Sequence, residues 1–350
     1  MEPGSNPRTE TGNASGGAGG QRRRRRWPYV VGGLVALGLL VLTVGVVVVV
    51  LTVGATGPSA QTAVYEEEYV SGAGRAKIAV VPVEGTIASA DSTVPGTQPP
   101  VTPEGLADAL LQAEEDPSVA AVVLEVDSPG GGVTASDQMH QSILDFKESS
   151  GKPVVVSMDS VAASGGYYIS AAADRIVANE STLTGSLGVV IPLLNFSEAA
   201  EKYGVTPNYV KSGESKTMGS SWNELTPEER EVFQSIVDEE YDEFVEVIVE
   251  GRELPEERVR EIADGRVYSG QQARELGLVD SFGGLDEATE VSQDLAKVEG
   301  ATVVRYVLPE SFTDTLFARL APQEPEALRI AEEAGLTLEP KPYYLYLPGA

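Results

Sequence analysis

The sequence predicts an α/β fold in which βαβ units build a largely parallel sheet. Four short runs are apolar at nearly every position: residues 77–83, 119–126, 154–158 and 175–178. Such runs suit strands of a parallel sheet that helices cover on both faces. Helical patterns alternate with these runs, and this alternation is the order expected of βαβ units.

The helical patterns follow the strand runs in turn. The first, residues 102–111, opens with threonine and then proline, a capping residue followed by a proline at the first helical position. Further helices are predicted over 134–147 and 165–173. A long acidic amphipathic helix, residues 226–251, is interpreted as a packing or oligomer element, and its apolar stripe comprises Val232, Ile236, Tyr241, Phe244, Val245 and Ile248.

Composition excludes several kinds of chemistry. The 350 residues include no cysteine and a single histidine, His140, so disulfides, thiolate catalysis and multi-histidine metal sites are excluded. Acidic residues number 53 against 25 lysines and arginines, a formal charge of −28, which opposes nucleic-acid binding because phosphates must be neutralised by basic side chains. We therefore predict no metal, no cofactor and no nucleic-acid partner.

The N-terminal region predicts a membrane anchor. Residues 1–27 form a basic segment with five successive arginines, predicted to be disordered. Residues 28–55 are uncharged and exceed the roughly 20 residues needed to span a bilayer. The arginines should keep the N-terminus cytoplasmic, which places the folded domain outside a cell membrane crossed once. A cleaved signal peptide is the alternative, but its apolar core is normally only about 7–15 residues long.

The remaining chain divides into three predicted parts. Residues 56–75 are interpreted as a linker, since they carry glycine, serine and a short acidic patch. Residues 76–308 form the main domain, and 309–350 form a less regular C-terminal extension. Within that extension, residues 340–347 alternate aromatic residues and leucines beside prolines, a pattern that fits either an edge strand or a docking tail.

Ser164 is the candidate nucleophile. It lies among small residues in the run 161–168, directly after a predicted strand and before a predicted helix. Small neighbours leave a hydroxyl approachable, and a tight turn from strand to helix is the setting of an exposed nucleophile. The alternative is a serine that only caps the following helix.

A glycine-rich loop, residues 127–132, follows the predicted strand that ends at Val126. Its free backbone N–H groups could bind a phosphate or the oxyanion of an acyl-transfer intermediate. The loop lacks the lysine and the serine or threonine of a phosphate-binding Walker loop, which weakens the first interpretation. An ordinary glycine turn is the other alternative.

The base for a serine nucleophile is the harder assignment. His140 is interpreted as a partly exposed histidine on a helix face, and carboxylates such as Asp127 and Asp159 are poor bases for serine. Lysine remains, because desolvation favours the neutral amine and Ser–Lys pairs are a known variant of the catalytic triad. Lys211 and Lys216 are the candidates, on a segment expected to follow a strand.

Five motifs, taken together in their order and spacing, resemble the signal peptide peptidase A family of membrane-anchored Ser/Lys peptidases, also called protease IV. The similarity covers roughly residues 76–300 and is closest to the short, single-repeat form of that family. The motifs are residues 127–132, 163–168, 184–188, 211–216 and 265–284.

The resemblance implies a crotonase-like (Clp-protease-like) fold, a ring-shaped homo-oligomer and an active site to which neighbouring subunits could contribute. The substrates it implies are peptides, in particular remnant signal peptides in or leaving the bilayer. Lys211 is kept as the alternative base. The implied roles are Ser164 as nucleophile, Lys216 as general base, Gly131 and Gly165 as oxyanion-hole donors, and Ser186 as the residue that orients Lys216.

Two other functions are weighed against this one. An acyl-CoA enzyme would explain the glycine loop, since crotonase-like folds also carry that chemistry, but it would not explain Ser164 with Lys216 or the anchor. A non-catalytic membrane scaffold would require a degenerate site, whereas the motif set is intact. Labelling of Ser164 by a fluorophosphonate probe distinguishes the peptidase from the acyl-CoA enzyme.

Overall fold

The computed structural model describes residues 65–89, 99–308 and 343–345. These residues fall within one compact unit, Thr62–Ala350. Its strands are β1 (Glu66–Gly72), β2 (Ala76–Glu84), β3 (Val119–Ser128), β4 (Gly130–Gly132), β5 (Val154–Ala163), β6 (Arg175–Ala178), β7 (Leu183–Gly185), β8 (Val267–Ser269), β9 (Ser281–Phe282), β10 (Ala301–Val307) and β11 (Tyr343–Leu345). Its helices are α1 (Pro103–Glu115), α2 (Val133–Ser150), α3 (Gly165–Ser170), α4 (Ser197–Tyr203), α5 (Pro227–Arg252), α6 (Glu256–Ile262), α7 (Gly270–Leu276) and α8 (Leu285–Ala296).

The main sheet runs in the order β1-β10-β2-β3-β5-β6-β9, and β7 continues it from β5 to β8. Every pairing from β10 through β9 is parallel, as is β5 with β7, whereas β1 with β10 and β7 with β8 are antiparallel. The predicted α/β fold with a largely parallel sheet is therefore confirmed.

Both faces of the central strands are buried, as the apolar runs predict. Along β3, Val122 and Leu124 join the core cluster that α1, α2 and α3 cover, while Val123 joins a second cluster with Ala288 of α8. Because successive side chains of a strand point to opposite faces, a strand buried on both sides must be apolar throughout. This requirement explains the four continuous runs.

The helix starts are also where the sequence predicts them. The Thr102 hydroxyl accepts a hydrogen bond from the Gly105 N–H at 3.1 Å, and Thr226 forms a complete capping box with Glu229. The predicted stripe of α5 is only partly correct. Its second half is buried through Phe244, Val245 and Ile248, but Val232 near its start stays exposed.

Two expectations about irregular segments are wrong. Glu66–Gly72, inside the predicted linker, forms β1 and pairs with β10. Nearly all of its residues are exposed, so this edge strand is held by its backbone pairing with β10. It lacks the alternation of apolar residues from which a strand can be predicted. The strand expected before Lys211 is not formed. Residues 205–211 are irregular and mostly exposed.

Among the helices of the described ranges, none has the length and apolar character needed to cross a membrane. The predicted basic segment and transmembrane segment, residues 1–27 and 28–55, lie outside the described residues, as does most of the C-terminal extension. Its described part, β11, is a strand that pairs antiparallel with β4. Of the two interpretations of residues 340–347, a strand is therefore the correct one for 343–345.

Candidate active site

The glycine loop forms the short strand β4 at the carboxyl end of β3. Ser128 anchors it, since its hydroxyl donates to the Gly85 carbonyl at 2.6 Å and accepts from the Gly130 N–H at 3.1 Å. On one side, Ile87 donates its N–H to the Gly130 carbonyl, and its own carbonyl accepts from the Gly132 N–H, both at 2.9 Å. Because N–H groups alternate in direction along a strand, the Gly131 N–H faces the opposite side.

Gly131 and Gly165 approach each other closely. The point where a Cβ of Gly165 would lie is 3.1 Å from the Gly131 nitrogen. A Cβ on Gly131 would collide with the Ile87 carbonyl oxygen, so glycine is required at that position. The two backbone nitrogens assigned to the oxyanion hole therefore belong to adjacent parts of the fold.

Ser164 joins β5 to α3 in a strained conformation. Its φ of 52° and ψ of −115° are rare for a residue with a side chain. Its N–H donates to the Gly185 carbonyl at 2.8 Å, and its carbonyl accepts from the Tyr168 N–H at 2.8 Å, so both backbone groups are fixed. Strained strand-to-helix turns of this kind present nucleophilic serines in other hydrolases.

The Ser164 hydroxyl is not used by the fold. Ser164 occupies the N-cap position of α3, but its side chain makes no capping hydrogen bond. The residue is fully buried, and Oγ has no hydrogen-bond partner. The alternative in which this hydroxyl serves as a helix cap is therefore wrong. The expectation of an exposed hydroxyl is also wrong within this one chain, since the side chain is buried.

Buried hydrogen bonds hold the elements on either side of Ser164. The Tyr167 hydroxyl donates to the Leu278 carbonyl at 2.9 Å, and the Ser170 hydroxyl donates to the Gly166 carbonyl at 2.6 Å. On the β5 side, Thr184 donates its hydroxyl to the Ala162 carbonyl at 2.6 Å. The position of Ser164 is thus determined by α3, β5 and β7 together.

Ser186 follows β7 and is also held with a positive φ, of 51°. Its N–H donates to the Arg266 carbonyl at 2.7 Å, and the residue is buried. It lines a cleft together with Val189, Tyr241 and Asp264. Its expected partner, Lys216, is not among the residues of that cleft.

The two candidate lysines lie on an irregular, exposed segment. Lys216 is in a short 3-10 helix, Glu214–Thr217, and its side chain is exposed. Lys211 is also exposed, but its ammonium donates to the Glu214 carbonyl at 2.9 Å. Since the Ser164 hydroxyl has no partner, neither lysine is hydrogen-bonded to it within this one chain.

The three side chains that the sequence analysis rejected as bases are His140, Asp127 and Asp159. His140 is buried and not partly exposed as expected; it packs against the Tyr168 ring at 5.2 Å and leaves Nδ1 unpartnered. Burial lowers the pKa of His140 to about 4, so it is neutral near pH 7. Asp127 accepts from the Val161 N–H at 3.0 Å and so joins β3 to β5. Asp159 is exposed.

Sequence reasoning left one contact of the site unassigned. Tyr343, Tyr344 and Leu345 of β11 pair with Gly132, Gly131 and Gly130 respectively, in antiparallel register. The C-terminal strand therefore lies along the free edge of the glycine loop. The alternation of aromatic residues and leucines in 340–347 was the signal for a strand, but it gave no partner.

Metal-binding side chains do not gather in this site. In the parts of the chain that the structure describes, no group of three or more histidine, cysteine, aspartate or glutamate residues could hold a metal ion. The groups that the fold brings together here are the Ser164 hydroxyl and the backbone of Gly131 and Gly165.

Comparison with known proteins identifies the family of this chain. The peptidase family S49 profile matches residues 147–299. A protein of Enterococcus faecium, provisionally named signal peptide peptidase SppA, is 35% identical over 346 residues, which cover 92% of this chain and 98% of that protein.

Two longer relatives give the same result. Protease 4 of Haemophilus influenzae is 37% identical over 238 residues, 68% of this chain but 38% of that protein. The chloroplastic serine protease SPPA of Arabidopsis thaliana is 34% identical over 226 residues, 64% of this chain and 33% of its own length. The chain belongs to peptidase family S49 and is a homologue of the signal peptide peptidase A and protease 4 proteins.

Proposed function

We propose that this protein is a serine endopeptidase in which Ser164 is the nucleophile and Lys216 is the general base. The observation that carries the proposal is the strained, buried Ser164, whose hydroxyl is unpartnered beside the Gly131 and Gly165 backbone. A free hydroxyl in a rigid turn beside backbone N–H groups is the arrangement that acyl transfer requires.

The chemistry follows from these groups. Neutral Lys216 takes the proton of the Ser164 hydroxyl as Oγ attacks the peptide carbonyl carbon. The N–H groups of Gly131 and Gly165 donate to the oxyanion that forms. When the C–N bond breaks, the Lys216 ammonium returns its proton to the leaving amine, and water then hydrolyses the acyl-serine by the same steps.

Peptide substrates would bind as an added strand on the free edge of β4. The pairing of Tyr343–Leu345 with Gly130–Gly132 supports this mode, because it is antiparallel backbone pairing along the proposed oxyanion hole. Main-chain recognition of this type accepts many sequences, with specificity supplied by side-chain pockets. We propose that the C-terminal strand occupies the track that substrates use.

The proposed base would reach Ser164 from a neighbouring subunit of a homo-oligomeric ring. Support comes from residues 190–222, termed here the lysine segment. The segment holds seven of the fifteen exposed large hydrophobic side chains of the described residues: Val190, Phe196, Tyr203, Val205, Tyr209, Val210 and Trp222. An apolar surface of this kind marks an interface, and burial in it would favour the neutral amine that a lysine base needs. Ser186, fixed in its cleft, would orient the incoming Lys216.

The location and substrate are proposed from the sequence and the relatives' names. Residues 28–55 would anchor the protein in the cell membrane, with the N-terminus cytoplasmic and the peptidase domain, in a crotonase-like fold, outside. Signal peptide remnants are the proposed substrates, since they lie in or near the bilayer and a homologue is named signal peptide peptidase SppA. The acyl-CoA enzyme and the scaffold are not favoured, because both lack support among these protease relatives.

The direct test is a peptide-cleavage assay with the full chain and its Ser164→Ala and Lys216→Ala variants. Both variants are expected to lose activity, and a fluorophosphonate probe is expected to label the native protein but not Ser164→Ala. Lys211→Ala is the matched control, since this lysine lies on the same segment, and it is expected to keep activity. Equal cleavage by all variants would overturn the proposal.

A further inference from the structure

Ser136 has an unusual side chain for a helical serine in this protein. It lies in the first turns of α2 and is fully buried, and its Oγ has no hydrogen-bond partner. Other helical serines donate to the carbonyl four residues before them: Ser142 to Gln138 at 2.9 Å, Ser170 to Gly166 at 2.6 Å and Ser292 to Ala288 at 2.7 Å. The Ser136 hydroxyl is therefore turned away from the local acceptor that such serines normally use.

The hydroxyl lies instead against the proposed oxyanion hole. The point where a Cβ of Gly165 would lie is 2.5 Å from Ser136 Oγ and 3.1 Å from the Gly131 nitrogen. Two polar atoms from separate elements thus converge on one point beside Gly165. No hydrogen bond joins the Gly165 N–H to this hydroxyl in the described structure, so the two donors do not satisfy each other.

A buried hydroxyl without a partner destabilises a fold, and an alanine would fill the same space without that cost. A donor that is unpaired in the free protein gains a strong hydrogen bond when negative charge develops on an oxygen beside it. Interactions that form only in the transition state are the ones that raise kcat. A hydrogen bond that the Ser136 hydroxyl donates in the transition state would therefore explain both its position and its missing partner.

We propose that the Ser136 hydroxyl is a third donor to the oxyanion, alongside the N–H groups of Gly131 and Gly165. This inference rests on the proposed serine peptidase function. As Ser164 Oγ bonds to the substrate carbonyl carbon, the carbonyl π electrons move to oxygen, and the Ser136 O–H donates to that oxygen. The hydroxyl keeps its proton throughout, so no further base or co-reactant is needed.

The test compares Ser136→Ala with Ser142→Ala, a serine of the same helix whose hydroxyl already has a partner. For Ser136→Ala we expect kcat to fall about 10²-fold with little change in KM, as for other lost oxyanion donors. We expect affinity for a peptide aldehyde, which forms a tetrahedral adduct with Ser164, to fall in parallel. Ser142→Ala should leave these quantities unchanged.

Thermal unfolding separates this role from a structural one. Because the hydroxyl is unpaired in the free protein, Ser136→Ala should unfold at the native temperature or above it. A lower unfolding temperature with unchanged kcat, or an equal loss of kcat in both serine variants, would overturn the inference. If Ser164→Ala still cleaved peptide, the proposed function itself would be wrong. A Ser164-dependent enzyme unaffected by Ser136→Ala would refute only the third donor.

Discussion

The surroundings of Ser164 and the lysine segment differ in almost every physical respect. Ser164 is fully buried, and its backbone is fixed by Gly185 and Tyr168. Lys216 is exposed on a short 3-10 helix, in a segment where Tyr203 and Val205 are 76% and 52% exposed. One half of the proposed catalytic pair is thus positioned by the fold of a single chain, whereas the other half is not.

This difference indicates how the site is built. Strain at Ser164 is tolerated because α3, β5 and β7 hold it, and such strain persists only where the structure over-determines it. The lysine segment has no comparable support, and its apolar side chains are uncovered. We infer that the nucleophile is preorganised in each chain, while the base becomes positioned only when the segment is covered by another copy.

The largest expected effect comes from mixing two inactive variants. Ser164→Ala and Lys216→Ala should each lose at least ~10³-fold in kcat/KM, since the pair acts as a unit. If the base crosses between subunits, co-assembled mixtures should recover about a quarter of native activity, because a heterologous interface combines an intact serine with an intact lysine.

Peptide cleavage by the two purified variants and by their refolded mixture is the measurement. Mixing each variant with native protein controls for exchange of subunits. Failure of the mixture to recover any activity, while exchange is demonstrated, would place both residues in the same chain and remove the contrast between the two regions.

The next effect concerns the rigidity of the glycine loop. Gly131→Ala should lower kcat about 10²–10³-fold, because its side chain would collide with the Ile87 carbonyl and displace an oxyanion donor. Gly132→Ala is the matched control, since its φ is −66° and no atom lies within 4 Å of its Cβ position. Equal kcat values for the two variants would show that this loop is not the oxyanion hole.

The third effect is the pH dependence of the free energy of unfolding that results from the buried His140. His140 has a folded-state pKa of about 4, below its ordinary value, because burial disfavours the imidazolium; Asp137 opposes this shift and Lys147 adds to it. The unfolded state therefore binds the proton more tightly. The stabilisation that comes from keeping His140 neutral is fully present above pH 6.5. It falls by about 3 kcal/mol as the pH drops towards 4.

Urea unfolding of the native protein and of His140→Phe between pH 7 and pH 4 measures this contribution. The phenylalanine keeps a ring against Tyr168 but cannot take up a proton. The native protein should lose about 3 kcal/mol more than the variant over that range. Parallel pH profiles for the two proteins would mean that His140 is not the group responsible.

The smallest expected effect concerns the C-terminal strand. If Tyr343–Leu345 competes with substrates for β4, removal of residues 341–350 should lower KM several-fold and leave kcat unchanged, since a tethered competitor has a high effective concentration. Tyr344→Pro should act in the same way by removing a backbone donor, whereas Tyr344→Phe should not. A higher KM after truncation would mean that the strand supports the site.

The sequence by itself determined the parallel α/β architecture and most of the element positions. The runs that became β2, β3, β5 and β6 are apolar because both faces of those strands are covered, and the start of α1 is encoded by Thr102 and Pro103. Such signals are local, and they follow from burial periodicity and capping. The candidate nucleophile and glycine loop were also recognisable, since small residues leave a readable pattern.

Only the tertiary structure decided which polar groups are free. Ile87 binds the Gly130 carbonyl and the Gly132 N–H, which leaves Gly131 facing β11. Ser164 is distinguished from a helix cap by the hydrogen bond that its side chain lacks. Strand β1, the pairing of β11 with β4, and the convergence of Ser136 on Gly165 depend on contacts between distant residues. Hydrogen-bond satisfaction is a property of the packed chain, so no local pattern in the sequence could have specified it.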